Sequence, residues 1–166
     1  MTTNKRRDFL RHSATAAAGV GSAMLASSLP ATAKMMGAND RIRVAAIGTG
    51  GRMRSLLSNF KKNSDVELVT LCDVYEPNIE RTATTIGLSG FKSVKDYRAV
   101  LDDKTIDAVV IATPDHWHVK ITSDAVAAGK DVYVEKPITH SIEEGAGIIK
   151  AVEASKRIVQ VGMQQR

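Results

Sequence analysis

The chain has 166 residues, 43% hydrophobic and 25% charged, the composition of an ordinary soluble domain with its own core. Its net charge of +5 is concentrated at the start, where Lys5, Arg6, Arg7 and Arg11 face only Asp8. What remains is too small and too scattered, with no interleaved aromatics, for a nucleic-acid surface. The single cysteine, Cys72, excludes an internal disulfide and a cysteine zinc cluster, and its place at the end of an apolar run reads as a buried, inert thiol.

Residues 4–33 read as an export address rather than a fold. Asn4-Lys5-Arg6-Arg7-Asp8-Phe9-Leu10 resembles the twin-arginine consensus, Ala14 to Leu29 is moderately apolar, and Ala31-Thr32-Ala33 has the small-x-small form of a cleavage site. Ser13, Thr15, Ser22, Ser27 and Ser28 interrupt the apolar stretch and make it poor as a permanent span; a membrane anchor or an amphipathic helix is the alternative. The expectation is recognition by the twin-arginine export machinery, transfer to the periplasm or otherwise out of the cytoplasm, and cleavage after Ala33. That machinery carries folded proteins, which suits a domain that takes up its cofactor before export. Residues 34–40 are then a short linker, and residues 41–166 are one domain.

From Arg41 onward strands and helices alternate. Ile42 to Ile47 is a first strand. Gly51 to Lys62 is a helix, with Met53, Leu56, Leu57 and Phe60 at helical spacing. Val66 to Cys72 is a second strand, and Pro77 to Ile86 a second helix with Pro77 in its first turn. Phe91 to Val94 is a short third strand and Lys95 to Leu101 a short helix. Ile106 to Ala112 is a fourth strand, apolar but for Asp107 and typical of burial on both faces. Asp115 to Ala128 is a helix closed by Gly129, and Asp131 to Val134 is a fifth strand. Ser141 to Ser155 is a helix with Ser141 and Glu144 as a capping box, and Ile158 to Val161 is a sixth strand. This rhythm predicts an α/β fold, a doubly wound parallel sheet of the Rossmann type, with about six strands in the order 3-2-1-4-5-6. Right-handed crossovers then set the carboxyl ends of strands one and four side by side, and a ligand belongs in the crevice between them.

Three motifs fall on that edge. The first is the loop Gly48-Thr49-Gly50-Gly51-Arg52-Met53, where a buried strand ends in glycines and opens a helix. The first glycine permits the tight turn, the second admits a pyrophosphate to the backbone, and the helix points its free N–H groups and positive dipole end at the phosphates. Met53 stands where glycine or alanine usually allows close helix–strand packing, so the helix is expected to sit slightly off the strand or the thioether to pack flexibly there. Asp73 closes the second strand, where an acid accepts hydrogen bonds from an adenosine ribose and repels a 2′-phosphate. That favours NAD over NADP, with NADP still open; a turn or N-cap aspartate is the competing use. Arg52 lies along the pyrophosphate, compensates a 2′-phosphate, or is a solvated first-turn arginine.

The second motif is Thr113-Pro114-Asp115-His116-Trp117-His118. Its histidines are two apart rather than four, a poor spacing for a helical metal site. The plainer expectation is that Trp117 packs and His118 caps or lines the crevice, with no metal. The third is Glu135-Lys136-Pro137 after the fifth strand. A charged pair leaving a buried strand is costly unless used or paired. Lys136 can reach the nicotinamide end, Pro137 holds it extended, and the Lys136–Pro137 bond is a candidate cis peptide. A surface Glu–Lys pair is the competing reading.

Together the runs Ile47-Gly48-Thr49-Gly50-Gly51-Arg52, Ile111-Ala112-Thr113-Pro114-Asp115-His116-Trp117-His118 and Ala128-Gly129-Lys130-Asp131-Val132-Tyr133-Val134-Glu135-Lys136-Pro137 closely resemble the Gfo/Idh/MocA oxidoreductases. The ending Val159-Gln160-Val161-Gly162-Met163-Gln164-Gln165-Arg166 is similar to the family's sixth strand and following loop, and the signal to that of its exported branch. The resemblance implies a nicotinamide cofactor held through Gly48, Gly50, Asp73, Thr113 and Glu135. It also implies Lys136 beside the nicotinamide and a substrate hydroxyl, as the candidate catalytic residue, and His118 shaping that pocket. With Thr49, Gly51, Arg52, Met53 and Pro114 these make up the candidate cofactor-binding set. The activity implied is hydride transfer to or from a sugar or polyol. Some exported relatives instead cleave glycosides through transient oxidation with a tightly held NAD. Family members continue into a second α/β domain that carries the catalytic histidine, most substrate contacts and the oligomer interface. The chain is therefore expected to be a catalytically incomplete, truncated oxidoreductase. A stand-alone dinucleotide-binding or partner-binding module is the alternative.

Overall fold

The computed structural model describes residues 41–163. Residues 1–33, expected to be an export signal, residues 34–40, expected to be a linker, and residues 164–166 lie outside the described residues. Six strands form one parallel sheet in the order β3-β2-β1-β4-β5-β6: β1 Ile42–Ile47, β2 Val66–Cys72, β3 Lys92–Val94, β4 Ala108–Ile111, β5 Asp131–Glu135 and β6 Val159–Gly162. This is the doubly wound order expected from the sequence, and the chain reverses direction across the sheet between β1 and β4. A shift in register between Val44 and Ala45 lets β1 follow β2.

Successive side chains of a strand point to opposite faces, and both faces are apolar. On one side Val44, Ala46, Leu71 and Val110 pack against α1 (Gly51–Phe60) and α2 (Glu76–Ile86) through Met53, Leu57, Ile79 and Ile86. On the other, Ala45, Ile47, Val109, Ile111 and Val134 pack against α3 (Arg98–Leu101) and α4 (His118–Ala127) through Val100, Ile121 and Ala125. The fifth helix, α5 (Glu143–Ser155), adds Ala151 to the second face. Among the described residues, no helix is long and apolar enough to cross a membrane.

Met53 is fully buried in the first of these clusters. The position that usually takes glycine is thus a core position here, and its side chain fills the space between α1 and the sheet. Burying a side chain of this size contributes about 1.5–3 kcal/mol.

Several elements are shorter than the sequence predicts. The expected helix over residues 95–101 begins only at Arg98, because Asp96 folds back on the chain and its Oδ1 accepts the Arg98 N–H at 2.9 Å. That hydrogen bond, followed by the Arg98 side chain, holds the Asp96 carboxyl below its usual range. The expected helix over residues 115–128 is broken into a 3₁₀ turn, Asp115–Trp117, and α4. The turn is fixed by the Trp117 N–H donating to the Pro114 carbonyl at 3.0 Å. The expected capping box of α5 is half formed: Glu144 Oε2 accepts the N–H groups of His140 and Ser141 at 2.7 and 3.2 Å. The helix itself starts at Glu143, with no side chain capping it.

Candidate functional site

The crevice lies where the strand order reverses, outside the carboxyl ends of β1 and β4, as open α/β sheets place their ligands. It forms a cavity of about 820 Å³ running from Asp73 and Tyr97 past Gly50 and Thr113. A smaller one of about 280 Å³ is lined by Arg52, Thr113, Asp115, His118, Glu135 and Lys136.

The glycine loop is shaped by two different demands. Gly48 has φ +82°, and a Cβ there would lie 2.8 Å from the Ala112 carbonyl oxygen and from the Thr113 nitrogen. Its own N–H donates to the Cys72 carbonyl at 2.8 Å. Gly48 is thus where the loops after β1 and β4 touch. Gly50 is the N-cap of α1, and a Cβ there would meet nothing within 4 Å. It lines the open crevice, so its missing side chain leaves room for a ligand rather than for the protein. The first turn of α1 carries no acid and no side-chain cap, and its orphan N–H groups with Arg52 make this end electropositive.

Asp73 is a turn aspartate whose carboxylate also ties down the glycine loop. Its Oδ2 accepts the Thr49 N–H and hydroxyl at 2.7 and 3.1 Å, and its Oδ1 accepts the Tyr75 N–H at 2.9 Å. It also lines the larger cavity. Thr49 itself is fully buried. Its carbonyl accepts the Thr82 hydroxyl at 2.7 Å, so it holds the loop from beneath.

At the other end, Glu135 is buried, and Arg52 Nη2 donates to its Oε1 at 2.8 Å. This bond raises the Arg52 guanidinium further above its ordinary range. The Tyr133 hydroxyl approaches the same oxygen at 3.4 Å, and burial, then the Glu135 charge, pushes the Tyr133 phenol up. Lys136 is exposed at the mouth of the smaller cavity, and the Lys136–Pro137 bond is cis. His118 is 1% exposed and lies between two backbone carbonyls. Thr113 and Pro114 line the larger cavity. The Thr113 hydroxyl is buried with no hydrogen-bond partner among the described residues.

The structure therefore gathers Gly48, Gly50, Gly51, Arg52, Asp73, Thr113, Pro114, His118, Glu135 and Lys136 around two adjoining cavities. Met53 does not join them; it faces the core. The two histidines of the second motif diverge, His116 lying exposed beside Trp117. Sequence reasoning missed the wall beyond Asp73. There Tyr97 meets Trp117 edge-on at 6.5 Å, Arg98 lies 5.0 Å from the centre of the Tyr97 ring, and Asn78 and Lys95 complete the lining. The available signal was position: Lys95 to Arg98 follow β3 at the same carboxyl edge. The Arg52–Glu135 pair, 83 residues apart in sequence, had no local signal.

These features fit a dinucleotide. The glycine at the helix N-cap leaves backbone open to an anion, and the orphan Thr113 hydroxyl waits for a donor or acceptor. Comparison with known proteins agrees. Residues 42–163 match the model of the Gfo/Idh/MocA oxidoreductase family, described by its NAD-binding Rossmann fold. A glycosyl hydrolase family 109 protein of Solibacter usitatus is 31% identical over 170 aligned positions, covering 95% of this chain and 38% of that protein. The WlbA dehydrogenase of Chromobacterium violaceum, solved with NADH and UDP-GlcNAcA, superposes with a TM-score of 0.70 at 25% identity, covering 77% of this chain and 36% of that one. GenD2 from gentamicin A biosynthesis, solved with NAD, gives a TM-score of 0.68 at 26% identity over 76% of this chain and 35% of that one. The chain thus spans well under half the length of these relatives. It belongs to the Gfo/Idh/MocA oxidoreductase family, and the described residues are its NAD-binding Rossmann domain.

Proposed function

We propose that this domain holds NAD for hydride transfer at a carbon of a sugar or polyol. The observation that carries the reading is the pair of adjoining cavities at one sheet edge, one lined by Gly48, Gly50 and Asp73 and the other by Glu135 and Lys136, which share Arg52, Ala112 and Thr113. Asp73 Oδ1 has capacity left for an adenosine ribose hydroxyl. Gly48, Gly50, Gly51 and Arg52 face the pyrophosphate, with Thr49 bracing them. Thr113, Pro114, His118 and Glu135 enclose the nicotinamide half. Lys95 and Arg98 line the adenosine end but are tied to Glu76 at 3.0 Å and Asp96 at 3.1 Å, which supports NAD over NADP. When bound, the nicotinamide supplies hydride acceptance. Lys136 orients the substrate hydroxyl and steadies the charge that develops as its proton leaves.

A second reading is glycoside cleavage through transient oxidation at the same crevice, favoured by the likeness to glycosyl hydrolase family 109 proteins. Titrating the 166-residue chain with NADH and NADPH tests the cofactor assignment: tighter binding of NADH is expected, and indifference between the two overturns it. Sugar-dependent reduction of NAD, as against release of a glycoside's leaving group without net reduction, separates the two activities.

The N-terminal segment is proposed to send the folded domain through the twin-arginine pathway. Changing Arg6 and Arg7 together to Lys in a reporter fusion should retain the protein in the cytoplasm; unchanged export would remove this proposal.

A further inference from the structure

The buried ring of His118 presents a problem of hydrogen-bond chemistry. Its Nδ1 lies 2.6 Å from the Pro137 carbonyl oxygen and its Nε2 lies 2.9 Å from the Thr113 carbonyl oxygen. Both neighbours are backbone carbonyls, which only accept. A neutral imidazole has one N–H and one bare nitrogen, so in either tautomer one lone pair would face a carbonyl lone pair at hydrogen-bond distance. The ring is 1% exposed, so no bulk water relieves that contact. Only the doubly protonated ring donates to both carbonyls.

We propose that His118 is an imidazolium clamp, a positioning residue that fixes the Lys136–Pro137 loop against the Thr113 loop and so sets where Lys136 stands at the nicotinamide end of the crevice. One carbonyl is that of Thr113, which lines the smaller cavity, and the other follows Lys136, which lines it too. Pro137 directly follows Lys136, so a bond to its carbonyl fixes the chain within one residue of the amine. This role rests on the proposed nicotinamide site; the charge on the ring does not.

The charges around the ring are balanced. From the 3₁₀ turn comes Asp115, with His116 exposed on its outer side; from the end of β5 come Glu135 and Lys136; from α1 comes Arg52, already bonded to Glu135. On α4 itself Lys120 is paired with Asp124. In the first turn of α5, Glu144 is occupied by the His140 and Ser141 N–H groups. Two influences oppose the cation: burial of the ring, which disfavours a charged imidazole, and its place at the start of α4, where the helix dipole disfavours positive charge. The dipole effect is spread over a turn, whereas the two carbonyls are in direct contact with the ring nitrogens, and charge-assisted hydrogen bonds are the stronger kind.

The test begins with the unliganded 166-residue chain, uniformly labelled with ¹⁵N. Long-range proton–nitrogen spectra should show both His118 nitrogens carrying protons, as two carbonyl acceptors require. A His118 spectrum with one protonated and one bare nitrogen overturns the charge assignment, whatever the chain binds. NADH titration then tests the positioning role. His118→Gln keeps a single donor group and should weaken NADH binding about tenfold, the order expected for one lost charged hydrogen bond. If the ring is doubly protonated but His118→Gln binds NADH with wild-type affinity, the clamp does not position the site. If the wild-type chain itself fails to bind NADH, the positioning role falls with the proposed function, and the spectra still decide the charge.

Discussion

Arg52, on the first turn of α1, reaches over the end of β4 to Glu135 at the end of β5, with 2.8 Å between Nη2 and Oε1. The Glu135 side chain is 6% exposed and the Arg52 side chain 39%, so the acid is the desolvated partner, while Arg52 also lines both cavities. A planar guanidinium can bond Glu135 with one edge and a phosphate or ribose with another. Arg52→Ala should therefore lower NADH affinity about tenfold, the worth of one charge-assisted contact. It should also cost about 1–2 kcal/mol of stability by removing a charged partner from buried Glu135. Arg52→Lys should recover little of the affinity, since an ammonium lacks the fork. Isothermal titration and chemical denaturation on the same variants measure the two effects separately.

The two glycines of the loop should respond differently to the same substitution. At Gly48 an alanine methyl meets backbone at 2.8 Å and the φ of +82° is strained for any L side chain. Gly48→Ala should unfold the chain or lower its thermal midpoint sharply. At Gly50 a methyl finds open space, so Gly50→Ala should melt like wild type, yet obstruct the pyrophosphate and weaken NADH binding. Equal melting losses in the two variants would contradict this division of labour.

The strand order, the six strands and the crevice at the β1/β4 reversal were legible because each rests on local pattern. Mostly apolar runs such as 106–112 report burial on both faces, and glycines report turns. Less was legible where a side chain overrides the backbone signal. Asp96 caps its own turn, so α3 starts late, and Pro114 forces a 3₁₀ turn ahead of α4. The motif position of Met53 suggests a cofactor contact, but its thioether is a core group, because the motif fixes the backbone path and not where the side chain at its last position points. Met53→Ala should accordingly cost about 2–5 kcal/mol of stability while NADH affinity per folded molecule stays unchanged, as denaturation midpoints and titration would show.

Cys72 is 2% exposed at the end of β2. Burial pushes its thiol up to about 12, with Asp73 and Asp96 adding to the rise. The fold thus favours the neutral thiol, a preference present at neutral pH and lost only as pH climbs toward that value. The native chain should resist a thiolate-specific reagent in mildly alkaline buffer and react fully once denatured. Rapid labelling of the native chain would show that β2 opens locally.

Asp124 couples the far wall of the crevice to acid. Its Oδ2 accepts the Tyr97 hydroxyl at 2.6 Å and Lys120 Nζ at 2.6 Å. Burial draws this carboxyl up, but the hydrogen bonds from Lys120 and Tyr97 outweigh it and leave the carboxyl below its ordinary 3.8. A depressed acid contributes stability that is present above its unfolded value and is lost as pH falls through its folded value. Asp124→Asn should therefore be less stable than wild type at neutral pH, with the gap closing below about pH 4. The same variant frees Tyr97 from its carboxylate, so NADH affinity should fall with stability at neutral pH and converge with wild type in acid. Thermal midpoints and NADH titrations across that pH range follow both, and a gap that stays constant into acid would remove Asp124 as the cause.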